Sequence, residues 1–346
     1  MNRIQRRLIF WLFVLIFLLG APATIFYAIG YSYDWQNHKI TQTGGLYFKS
    51  TPSNAEIFLD NKLIDTTAAL ISRLTPNDYK IKISKDGFYD WEKTLPVYPR
   101  LVTEARNVFL FPKKINPELI NSNATSSIIY YLTDEAEKNR QSQAALTAST
   151  TAGWISKNQN LYFISKENYI FYSSDLNGTD KKQLGINPLP TATNYQIFNN
   201  NNDFLALTAS GELYWLNRQD NNFLKIAANV KKAEFSSDSK KILYYNDNEI
   251  HVYFLADILV QPYKKIGDTE IITRQSQPIN QATFYPNNEY IAYTTGDQIK
   301  IIELDDRDTR NTVDLLSAPA PEVHFNRDNN YFYYKTGIIL YRFKLE

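Results

Sequence analysis

The side chains best suited to proton transfer near neutral pH are histidines, and this chain has three: His38, His251 and His324. None stands in an H-x-x-x-H pattern, so no helical face offers a zinc ion two imidazoles. Cysteine is absent, which removes disulfides, thiolate nucleophiles and thiolate metal sites together. No G-x-S-x-G elbow frames a nucleophilic serine, and no glycine-rich loop is built to cradle phosphate. DLNGTD, 175–180, puts Asp175, Asn177 and Asp180 in one short stretch. Their oxygens suit calcium, and the same residues are what a tight turn requires. The reading is of a chain with no catalytic, cofactor-binding or metal site, and not of an enzyme.

The totals point the same way. A chain of 346 residues, 44% hydrophobic, can bury sizeable cores. With 25 Tyr and 20 Phe it leans towards pleated, half-buried surfaces. The tyrosines also suit stacking on sugars, although such rings more often fill a β core. A formal net charge of +1 gives no electrostatic case for nucleic acid. Asn123-Ala-Thr125 and Asn177-Gly-Thr179 are glycosylation sequons, a pattern short enough to arise by chance.

The elements that must carry any function begin with LIFWLFVLIFLLGAPATIFYAIGYSY, residues 8–33, which has no charged residue. About 20 apolar residues cross a bilayer. Arg3, Arg6 and Arg7 precede the run and Asp34 follows it. The positive-inside tendency therefore keeps the N-terminus cytoplasmic and exports the rest. A cleaved signal peptide competes, because Ala21-Pro22-Ala23 has A-x-A spacing. The apolar run continues beyond that point, which favours an uncleaved anchor over residues 1–34, with the lipid bilayer as its partner.

Residues 44–111 alternate as strands do. In YKIKIS, Tyr79, Ile81 and Ile83 face one way, with Lys80 and Lys82 opposite. AEIFLD is another strand, Asn61-Lys62 a tight turn, and RNVFLF a closing strand. The stretch from Gly44 to Val97 resembles a PEGA domain. The likeness rests on the opening Gly-x-hydrophobic strand and on Ser50-Thr51-Pro52 leading into Ala55-Glu56-Ile57. It runs on through Thr66-Thr67 and Leu74-Thr75-Pro76 to Lys85-Asp86-Gly87-Phe88. Asn61, Asp65 and Ala68 stand where that family usually carries Gly, Gly and Pro. Asn and Asp tolerate left-handed backbone, so the strand order survives. The resemblance implies a small β-sandwich of exported proteins, usually non-catalytic.

Residues 112–125 read as a linker. Beyond it one phrase recurs five times, each copy with an aromatic anchor: Trp154, Phe198, Phe235, Phe284 and Phe325. Copies of about 40 to 45 residues with four strands each are the mark of propeller blades, which bury their faces by stacking. The anchors are expected between blades. The polar tetrads (SSDSK, YPNNE, NRDNN) should turn the first strand into the second. AEFSSDSKKILYY also resembles the repeat of TolB-type and WD-like propellers, a likeness that speaks for fold and not for activity. The last copy ends after its third strand. SSIIYYLT, 126–133, is expected to supply the missing outer strand and close the ring, and 134–149 to form a helical or loose excursion.

The fold class expected is all-β: an N-terminal transmembrane helix, a PEGA-like β-sandwich, and a five-bladed β-propeller over 126–346 closed by an N-terminal strand. The function expected is a membrane-anchored, extracytoplasmic binding or scaffold protein, with a protein or a cell-envelope polysaccharide as partner. A glycan hydrolase or lyase is the rival, with Glu234, Glu322 and His324 on inner strands as its nearest groups. A structural surface-layer component is the third reading.

Overall fold

The computed structural model describes residues 3–34, 38–133, 135–326, 329 and 331–344. The chain falls into two compact units, Met1–Lys113 with Arg307–Thr309, and Lys114–Asp306 with Arg310–Glu346. Apart from helices α1 (Arg3–Ala28), α2 (Ile128–Leu132) and α3 (Glu135–Thr147) and a short 3₁₀ turn, the described regular structure is β.

In the first unit, α1 is unbroken through Pro22, has no buried residue, and is long and apolar enough to cross a membrane. A small hairpin, Tyr31–Asp34 with Lys39–Gln42, follows it. Two sheets come next. One has three strands, with Gly44–Thr51 between Ala69–Leu74 and Val102–Phe109; the other has four antiparallel strands in the order Lys62–Thr66, Glu56–Leu59, Asp78–Ser84, Trp91–Pro96. The period-2 pattern decides what is buried: Ile81 and Ile83 join Leu46, Phe48, Ile57 and Trp91 in the core. Lys80 and Lys82 stay outside and face Glu92 and Asp90 at 3.6 and 3.5 Å. The turn lacking its family glycine adopts left-handed backbone at both Asp60 and Asn61, with φ of 48° and 66°. Paired positive φ values define the two-residue turn that fits strand twist. Gly44 has no room for a side chain, because a Cβ would collide with the carbonyl oxygens of Tyr98 and Leu101.

Among the described residues, the second unit holds five four-stranded antiparallel sheets. Sheets 1 to 4 are meanders that start at Thr151, Tyr195, Lys232 and Ile279. Sheet 5 takes Glu322–Asn326, Tyr331–Thr336 and Ile339–Phe343, and its outer strand is Glu118–Asn121. Neighbouring sheets bury their flanks together. Phe171, Ile197 and Phe204 lie between sheets 1 and 2, Leu205, Phe235 and Tyr244 between 2 and 3, and Val252, Phe284 and Tyr293 between 3 and 4. Tyr285 of sheet 4 meets Phe325 of sheet 5, ring centroids 5.9 Å apart.

Two expectations are corrected here. The outer strand of sheet 5 comes from the stretch read as a linker, and Ile128–Leu132 is helix α2. The reason is burial. With Glu118–Asn121 already paired, the edge is taken, and the apolar stretch covers a face instead. Ile128 packs with Ala124, Tyr333 and Leu340, its N–H donating to Glu322 Oε1 at 3.1 Å. The excursion after it is helical: Ala144 of α3 and Ala148 of the 3₁₀ turn that follows pack over Trp154, Leu161 and Phe163 on the outer flank of sheet 1. One flank of sheet 5 is therefore covered by α2, and one flank of sheet 1 by α3 and the turn that follows it.

Candidate functional site

The expected anchors fall into place as follows. Phe235 and Phe284 are buried against the preceding sheet, and Phe325 touches it through Tyr285. Trp154 packs under α3, since no sheet precedes its own. Phe198 is shifted by one residue: it faces sheet 3, and Ile197 takes the inward place against sheet 1. The hairpins explain the slip. Sheets 1 and 2 turn through two residues, after Lys157 and Asn200, whereas sheets 3 and 4 use a longer turn closed by Ser236 N–H to Lys241 and Tyr285 N–H to Tyr290. Residues 327, 328 and 330 of the fifth tetrad lie outside the described residues.

Those longer turns also latch sheets together. The Asn200 side chain donates to Ser236 O at 2.7 Å and to Ser239 Oγ at 2.9 Å. Asn288 Oδ1 accepts from Ser237 N–H at 3.0 Å. Buried Lys241 donates to Asn288 O and to Glu289, at 2.7 and 2.8 Å. Burial pushes the Glu289 carboxyl upward, and Lys241 opposes that shift.

The groups considered for chemistry have the following surroundings. Glu234 accepts from Phe284 N–H and the Thr283 hydroxyl in the next sheet, at 2.5 and 3.0 Å. Glu322 holds α2 and lies 3.2 Å from Lys335. His324 sits opposite Tyr333 in sheet 5. His251 stacks on Tyr244 in sheet 3 and lies 3.0 Å from Glu249. His38 lies in the first unit's hairpin. The Asp175 carboxylate is held low by the Thr179 hydroxyl and accepts the N–H groups of Asn177 and Thr179, which closes its turn. Among the described residues, no three His, Asp or Glu gather as metal ligands.

What remains open is a polar hollow of about 320 Å³ where sheets 2 and 3 adjoin, lined by Asn194, Gln196, Thr208 and Lys231 over Leu207 and Val230. A second hollow of about 310 Å³ continues it past Ser210 and Asn229 to Asn246 and Asp247. This end of the unit gathers the turns between second and third strands and the connections between sheets. Lys231 donates to Asp247 at 2.8 Å. Gln281 shows why the hollow exists. It occupies the place on sheet 4 that Gln196 has on sheet 2, and its amide bridges to the next sheet, accepting from Val323 N–H at 2.9 Å and donating to Val323 O at 2.5 Å. Gln196 makes no such bridge; it is exposed, with no hydrogen-bond partner among the described residues. The sequence carried no signal for the hollow beyond the glutamine itself.

No curated protein matches the chain in sequence. Among solved structures, it is similar to the β-propeller domain of Cps50 (Swd1) from Myceliophteria thermophila, at 11% identity and a TM-score of 0.39, covering 55% of this chain and 67% of that one. It is also similar to a gluconolactonase from Xanthomonas campestris, at 11% identity, TM-score 0.36, with 56% and 70% covered. For the tricorn protease the values are 15% and 0.39, with 79% of this chain and 25% of that one covered. Residues 43–109 match the PEGA domain.

Proposed function

We propose that the chain is a membrane-anchored, extracytoplasmic binding or scaffold protein, in which a PEGA sandwich is followed by a five-bladed β-propeller. Helix α1 is the anchor, the N-terminus stays cytoplasmic, and the propeller ring is closed by Glu118–Asn121 with α2 and α3 filling the junction. The hollow at Gln196 is the interaction site, and its partner is a protein or a cell-envelope polysaccharide. The observation that carries this reading is the unmade bridge at Gln196: its strand-borne amide is exposed, and Asn194, Asn229 and Lys231 stand beside it on the connections that frame the hollow. Such a lining recognises neutral polar groups by hydrogen bonds.

The test uses the full chain in detergent against solubilised envelope proteins and purified wall polymers. Ser210→Arg and Asn229→Trp, which crowd the hollow, should abolish retention that the wild-type protein shows. Gln219→Arg, at the other end of sheet 2, should leave it intact. Equal retention by all variants, or none by the wild type, would refute the site.

A further inference from the structure

We propose that residues 255–268, the connection between the third and fourth strands of sheet 3, form a knuckle that inserts Leu259, Val260, Tyr263 and Ile266 into the interfacial layer of a lipid bilayer. This rests on the reading of α1 as a membrane anchor.

The corresponding connections of sheets 1, 2 and 4 are polar. Sheet 1 has LNGTD after Asp175, sheet 2 has Arg218 to Asn221, and sheet 4 has Asp305 to Arg310. The apolar residue among them, Leu176, packs under α3. In sheet 3 the connection is longer and inverted in character: Leu259 is 83% exposed, Tyr263 67%, Ile266 57% and Val260 44%. These side chains are presented by a built frame. Ile258 and Lys264 pair as a small antiparallel bridge. Asp257 Oδ1 accepts from Ile266 N–H at 2.8 Å, Asp268 Oδ2 from Lys265 N–H at 2.7 Å, and Gly267 donates to Phe254 O at 2.8 Å. At its base the Lys264 ammonium bonds to Glu270 and, at 2.7 Å, to Asp306, while Arg310 reaches Glu270 at 2.9 Å. The apolar tip is therefore pre-ordered.

Composition and size choose the occupant. Aliphatic residues with an interfacial tyrosine and an exposed Lys265 are what a membrane surface selects. Four side chains on one convex tip fall well short of the ~800 Å² per partner of a stable protein interface. They suffice for a bilayer, because an anchored chain meets that surface at high effective concentration.

The chain has no cysteine, so single-cysteine variants of the full protein can be labelled with a polarity-sensitive fluorophore and reconstituted into phosphatidylcholine/phosphatidylglycerol vesicles containing doxyl-labelled lipid. Leu18→Cys reports the anchor, Leu259→Cys the knuckle, and Asn229→Cys the opposite end of the sheets. The expectation is strong quenching at 18, at least twofold greater quenching at 259 than at 229, and loss of the signal at 259 on adding Ile266→Asp. Quenching at 18 with 259 behaving like 229 would overturn the knuckle and leave the anchor standing. No quenching at 18 would sink the anchor and the knuckle with it. Ready disulfide-linked dimers of Leu259→Cys would name a second copy as occupant and equally overturn the proposal.

Discussion

Two single residues set local limits that can be measured. The first strand of sheet 1 crosses the backbone of Tyr195 so closely at Gly153 that a Cβ would collide with the Tyr195 carbonyl. Gly153→Ala should therefore lower stability by about 1–3 kcal/mol, the usual cost of overpacking, read as a lower denaturant midpoint at unchanged slope. Glu118 is the second. Its bidentate bonds to Arg342, 2.8 and 3.0 Å long, tie the outer strand of sheet 5 to its neighbour and hold its carboxyl below the ordinary 4.5. A depressed carboxyl contributes stability that is present above the unfolded value and lost as pH falls through the folded one. Relative to the middle strands of the unit, protection of the 118–121 amides against hydrogen exchange should fall as pH drops below the ordinary glutamate value of 4.5, and Glu118→Gln should remove that pH dependence. Protection that is flat with pH in the wild type would contradict the role of the pair. Neither residue announces itself in the sequence, because both depend on what the fold brings against them.

At the scale of elements, the strands with strong period-2 or all-apolar patterns were legible. KILYY, YIAYTT and YFYYKT are the second strands of sheets 3 to 5; the first two are buried throughout and the third at Phe332, Tyr333 and Tyr334. The closing strand was not legible, for a physical reason. An outer edge strand is half wet on both faces, and Glu118–Asn121 has Leu119 and Ile120 exposed, so its sequence resembles a linker. IIYYL is short and apolar, and such runs fit a buried strand or a buried helical turn equally well. The structure separates the two: Ile128 is fully buried whereas Ile129 and Tyr130 are more than half exposed. Ile128→Asp should lower the melting temperature, while Ile129→Asp and Tyr130→Asp should leave it nearly unchanged. A similar loss at all three positions would favour a two-sided strand. Phe198 lies between sheets 2 and 3, on the face opposite to that of Phe235 and Phe284 in their sheets, because a two-residue hairpin replaces the longer turn of sheets 3 and 4 and a one-residue slip reverses the face of every side chain.

At the scale of the molecule, the repeat period announced stacked sheets, and the sheets bury their flanks as that period requires. The N-terminal apolar run was equally plain in composition, and α1 takes up most of it, from Arg3 to Ala28. The hollow between sheets 2 and 3 was not legible, since one glutamine bridges to the next sheet and its counterpart does not. The latch built by the polar turns carries its own expectation. Lys241→Ala should destabilise the second unit by about 1–3 kcal/mol, the usual loss for a buried hydrogen-bonded charge, and more than Glu289→Gln, which keeps a hydrogen-bonding group at the site. Equal costs would mean that the ion pair contributes nothing beyond its hydrogen bonds.

The central claim is that the N-terminal strand of the second unit closes the last sheet. Leu119 and Tyr341 are register partners across that seam, and direct cross-strand partners stand about 4.5–5.5 Å apart at Cα, within reach of a disulfide. In this cysteine-free chain, the pair Leu119→Cys with Tyr341→Cys should cross-link readily under mild oxidation and raise the melting temperature, while Tyr130→Cys with Tyr341→Cys should not cross-link. Cross-linking through 130 and not through 119 would contradict the account.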